Sequence, residues 1–151
     1  MKKRMTWILV VALLGLFAGA AFAQFAKTED AIKYRQSAMF LIGQHFTRMG
    51  AMVKGEVPYN KEVFEKNAVL VESLYRLPLE AFMFPGSDKG SGMKADALTQ
   101  KDKFTQMHTA TEAELAKLVA VAKGGDLNVI KPQFGAAGAS CKACHDAFRN
   151  K

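Results

Sequence analysis

Apolar residues recur along most of this chain at steps of three and four, the spacing that keeps one face of an α-helix turned to a core. A first helix is predicted from about Thr28 to Val53, with Ile32, Met39, Phe46 and Val53 seven apart and Ile42 and Met49 between them. Thr28 is the expected N-cap, Glu29 and Asp30 favour the first turn, and Gly55 and Pro58 close the helix. A second starts at Asn60 and carries Val63, Asn67, Leu70, Leu74 and Leu77 before Pro78 stops it. The stretch from Pro78 to Gly92, rich in Gly, Pro and aromatics, is the longest and least regular connection. A third helix runs from roughly Ala95 to Lys123 with Phe104, Met107, Thr111, Leu115, Leu118 and Ala122 inward, ended by Gly124 and Gly125. Asp126 caps a fourth, whose inner face is Ile130, Phe134, Ala137, Cys141, Cys144 and Phe148; Pro132 should force a 3₁₀ start or a kink. No strand pattern or repeat competes. Four amphipathic helices with short loops predict an all-α, antiparallel up-down-up-down four-helix bundle.

The first residues follow another logic. Met1-Lys2-Lys3-Arg4 is basic, Trp7 to Phe17 is apolar, and Ala21-Phe22-Ala23 is a small-residue cleavage site. This is the pattern of an export signal, with the mature bundle at 24–151 and a periplasmic destination. A retained membrane anchor fits less well, because the apolar run is short and interrupted by Gly15 and Gly19. After cleavage no membrane association is expected. The leader also holds Lys2, Lys3 and Arg4 and no acid, so the net charge of +7 falls once it is gone. The remaining cations are scattered, which argues against a nucleic-acid partner.

Cys141-Lys142-Ala143-Cys144-His145 is a C-x-x-C-H motif, the attachment signature of a c-type haem, one per chain. Cysteines three apart share a helix face and can each form a thioether; His145, four from Cys141, can reach the iron as an axial ligand. A disulfide between the two cysteines is the ordinary alternative in an exported protein. A thioredoxin-like pair would need a βαβ setting, which is absent here. The apolar seam runs through both cysteines, so the porphyrin must enter the bundle interior.

Bundle geometry then narrows the other contacts. At 1.5 Å per residue, Met39 lies roughly 17 Å into the first helix, at haem height, while Met49 and Met52 lie roughly 30–36 Å in and belong to the core. Arg35 occupies a seam position where an apolar side chain belongs; a haem propionate would pair its guanidinium, or it snorkels to solvent. Gln36 could bond the same carboxylate, and Lys94 is a weaker candidate for it. Phe82, with Met39 and Ile42, would line a distal pocket. His45 sits too deep for the iron. His108 is at a height compatible with haem contact, though a lone helical histidine more often has no such role.

Ala139 to Arg149, Glu29 to Met39 with its Tyr34-Arg35-Gln36, Val53 to Tyr59 and Leu77-Pro78 together resemble cytochrome c′, a family of exported four-helix-bundle haem proteins. The resemblance spans the mature chain. It implies a five-coordinate, high-spin haem with His145 as its only axial ligand and with Met39 blocking the other side without binding. It implies Arg35 and Gln36 near a propionate, binding of NO and CO but scarcely of O₂, and a homodimer through the first two helices. The sequence Phe82-Met83-Phe84-Pro85-Gly86 and the Leu79 after Leu-Pro depart from the family pattern.

Three functions compete. A gas-binding haem protein suits a pocket of Met39, Ile42 and Phe82, which offers no donor to stabilise bound O₂. A low-spin electron carrier of the cytochrome c-556 type would use Met39 as sixth ligand; Tyr34, Arg35 and Gln36 favour the first. Catalysis is not expected, since no acid–base residue is placed for peroxidase work. The redox partner is not legible.

Overall fold

A computed structural model describes residues 24–150; the expected leader over 1–23 lies outside the described residues. Among the described residues six helices follow in order: α1 (Thr28–Lys54), α2 (Lys61–Arg76), α3 (Leu79–Phe82), α4 (Asp96–Thr99), α5 (Lys101–Gly124) and α6 (Leu127–Phe148). The four long ones form the antiparallel up-down-up-down bundle. α1 packs on α2, α2 on α5 and α5 on α6, whereas α1 meets α6 only sparsely.

Local chemistry sets most boundaries. Gly55 ends α1 in the left-handed conformation (φ 77°), and the Glu56 N–H returns to the Ala51 carbonyl at 2.9 Å. The Asn60 side chain accepts from the Val63 N–H at 3.0 Å and starts α2. Asp126 does the same for α6, accepting from the Asn128 N–H at 2.8 Å.

Several expectations need correction. Thr28 is not the N-cap of α1: Lys27 holds that position without a side-chain bond, and the Thr28 hydroxyl donates instead to the Pro85 carbonyl. The expected third helix is interrupted at Gln100 (φ −108°, ψ 50°), which separates α4 from α5. Pro132 brings no 3₁₀ start; α6 runs through it as an α-helix. Pro132 and Asn128 are both exposed, so the carbonyl that loses its N–H partner stays in water.

The buried face of α2 is also rotated. Phe64, Asn67, Ala68, Val71 and Tyr75 turn inward, while Val63 and Leu77 are exposed. Phe64, which is not one of the expected inward positions, is 0 % exposed, whereas Phe40 and Leu41 of α1 lie outside, Phe40 at 64 %. Both faces of α2 carry apolar residues. Packing selects the one that offers a ring to the bundle axis, where burial stabilises by about 1.5–3 kcal/mol.

Candidate haem-binding site

The last two turns of α6 present the motif. Cys141 and Cys144 are half-buried free thiols, so the disulfide alternative is not realised. Burial pushes both thiols up, and at Cys141 the neighbouring Cys144 acts in the same direction while a Ser140 hydrogen bond opposes it. Partial burial and the nearby Arg149 charge hold the His145 imidazole below its ordinary value. Neutral imidazole is the form with a lone pair for a metal. The helix end is fastened to the preceding loop. The Lys94 N–H donates to the Phe148 carbonyl at 2.9 Å and the Asn150 N–H to the Gly92 carbonyl at 2.8 Å. The Lys94 ammonium donates to the Asp146 and Ala147 carbonyls, so it serves the C-terminus of α6, where a cation is favoured.

The apolar core comes in two parts, divided at the level of the motif. The larger includes Ile42, Met49, Phe64, Tyr75, Leu115, Ile130 and Ala137, with Met39 against it. The smaller holds Met93, Ala97, Phe104 and Phe148, with Phe82, Met107 and Cys144 against it. Between them in sequence on α5 stand His108 and Thr111, both buried. α1 and α6 close on each other below this level. There Phe46 stacks on Phe134 at 4.3 Å, a Cβ at Gly50 would sit 3.5 Å from the Phe134 ring, and one at Gly138 3.7 Å from Phe46. The residues fit a haem: two thiols on one helix face, an imidazole beside them, a divided core, and sparse packing of α1 on α6.

The other predicted residues scatter around this level. Arg35 is 4 % exposed. It donates to the Ser87 carbonyl at 3.0 Å and the Ser91 hydroxyl at 2.9 Å, lies 3.2 Å from the Met93 sulfur, and sits over the Phe82 ring at 4.9 Å. Burial lowers its pKa, partly offset by Asp88. It therefore does not snorkel; it pins the loop after α3 to α1. Gln36 is exposed beside it. Met39 is half-buried with the larger core part, and Phe82 with the smaller, so the structure does not join them in one wall.

Residues 30–149 match the family described as Cytochrome C'. The chain belongs to the cytochrome c′ family. It is 44% identical over 128 residues to cytochrome c′ of Alcaligenes xylosoxydans xylosoxydans, covering 85% of this chain and 99% of that one. It is 44% identical over 130 residues to that of Rubrivivax gelatinosus, covering 85% and 100%. A nitric oxide complex of a variant of the Alcaligenes protein superposes with a TM-score of 0.80 at 43% identity over 85% of this chain and 99% of that chain. A carbon-monoxide-bound variant gives 0.79 at 43% identity, over 85% and 100%. As a cytochrome c′, the chain carries covalently bound haem c.

Two groups escaped the sequence reading. The loop residues Ser87, Ser91 and Met93 hold Arg35, and nothing in the sequence marks them. Tyr75 and His108 stack at the divide, ring centroids 4.5 Å apart. Here a signal existed: His108 is four residues after Phe104 and three before Thr111, the same spacing that places its neighbours inward.

Proposed function

We propose that this cytochrome c′ is exported through residues 1–23, works in the periplasm, and binds NO or CO at a five-coordinate haem. Cys141 and Cys144 form the thioethers and His145 is the axial ligand. When bound, the haem supplies an iron with one axial position open to a diatomic ligand. The observation that carries this reading is the pair of free thiols on one face of α6 with the His145 imidazole beside them, level with the divide in the core. Met39 and Ile42 of α1 contribute apolar groups at that height and no hydrogen-bond donor, which disfavours O₂ more than NO or CO. The NO and CO complexes of the Alcaligenes relative support the same ligands here. Arg35, with Gln36 beside it, is assigned to a propionate. Its guanidinium has five donors, of which the loop takes three and leaves two. Among the described residues no helix is long and apolar enough to cross a membrane. Exposed Phe40 and Leu41 on α1, with Val63 and Val69 on α2, support a second copy of this chain as partner.

The ferric and ferrous optical spectra of the purified protein test the coordination. A high-spin spectrum that changes on adding NO or CO is expected. A thioether-to-iron charge-transfer band that vanishes in Met39→Leu would replace this reading with the electron carrier of cytochrome c-556 type.

A further inference from the structure

His108 is the one fully buried imidazole among the described residues, at 2 % exposure. Its ring lies on Tyr75 of α2, the planes 21° apart. Neither ring nitrogen has a hydrogen-bond partner. Neutral imidazole carries one N–H and one lone pair, and burying both without partners is unfavourable. Two acceptors nevertheless wait nearby. Glu112 Oε2 is 3.8 Å from Nδ1, and the Tyr75 main-chain carbonyl acts on the ring from the other helix. Acceptors cannot satisfy a lone pair. They suit an imidazolium, which has two N–H groups.

Burial disfavours that charged form and holds the His108 pKa down, while Glu112 and the Tyr75 carbonyl pull it back. A change of charge nearby would act on the same protonation equilibrium. Such a charge belongs to this region. His108 stands between Phe104 of the smaller core part and Leu115 of the larger, and the Tyr75 phenol is within electrostatic reach of Cys141 and Cys144.

We propose that His108 is a redox-linked proton site of this cytochrome. When the haem accepts an electron from a one-electron donor, His108 takes one proton from solvent on the Glu112 side; on oxidation both leave. No bond to iron is made or broken. The groups facing the site are Glu112 on α5, Tyr75 on α2, and Cys141 and Cys144 on α6, which are uncharged as thioethers. Arg76 of α2, paired with Glu72, also feels Glu112 and competes for it. This inference rests on haem attachment at Cys141 and Cys144.

The test is a redox titration of the purified holoprotein across about pH 5 to 8, the range in which histidine changes charge. Mass and the spectrum of the denatured protein first establish covalent haem; a protein without it overturns the attachment reading and this one together. With haem in place, reduction raises the His108 pKa, so the midpoint potential falls as pH rises between the oxidised and reduced pKa values. One proton per electron is a tenfold change per pH unit, or about 59 mV. His108→Gln, which keeps a polar group but takes no proton, should remove this part of the slope on the acid side. Glu112→Gln should move the sloping window to lower pH. Other groups titrate too, so the reading is the difference between variants. An unchanged slope in His108→Gln, or an unmoved window in Glu112→Gln, overturns the proposal.

Discussion

At one end of the bundle, Phe46 and Phe134 stack, Phe64 approaches Phe134 with ring centroids 6.5 Å apart, and Gly50 and Gly138 lie beside the Phe134 and Phe46 rings. The two helices that begin there, α2 and α6, are capped by Asn60 and Asp126. At the motif end the core divides, a buried arginine and a buried imidazole replace apolar side chains, and α1 and α5 begin without side-chain caps. The same four helices thus satisfy themselves at one end and leave the other to be completed by a loop and by haem. Helical periodicity alone does not distinguish the two ends; the substitution of polar for apolar residues on an inward face does.

Removing the haem tether should have the largest effect. Cys141→Ser with Cys144→Ser should abolish covalent haem, read by mass. Hydrogen exchange should then speed up in 76–108 and 139–150 while the Phe46–Phe64–Phe134 region keeps its protection. Equal loss of protection at both ends would break the comparison. Next, Phe64→Ala at the self-filled end should cost about 3–5 kcal/mol of stability. Its haem spectrum should stay that of the parent; a shifted spectrum would mean the ends are not independent. Third, Arg35→Ala removes two charged hydrogen bonds to the loop and should cost about 2 kcal/mol. It should also raise exchange at Ser87 to Met93, and an undisturbed loop would remove Arg35 as its anchor.

Much of this was legible in the sequence. The motif, the four long helices, the Asn60 and Asp126 caps and the misfit of Arg35 on an inward face all follow from spacing and residue type. Where the sequence misled, two solutions had similar local character. α2 is apolar on two sides, and only its neighbours select Phe64 and Tyr75 over Val63 and Leu77. Thr28 has the right chemistry for a cap, yet its hydroxyl finds the Pro85 carbonyl, a residue distant in sequence. The loop partners of Arg35 are invisible because a buried guanidinium can be met by main-chain carbonyls, which every residue carries.

The smallest predicted effects test the capping asymmetry directly. Asn60→Ala removes the acceptor for the Val63 N–H and should cost about 1 kcal/mol in denaturant unfolding, with the spectrum unaltered. The reverse change belongs at the motif end. Lys27 already has the extended backbone of an N-cap (φ −141°, ψ 153°) but offers no acceptor, and its cation sits at the positive end of the helix dipole. Lys27→Asp should therefore stabilise by about 0.5–1 kcal/mol, because both the missing hydrogen bond and the charge are corrected without moving the chain. If Lys27→Asp gains nothing while Asn60→Ala costs its full amount, the start of α1 is already satisfied by its tether to Pro85, and the motif end is less incomplete than its missing caps imply.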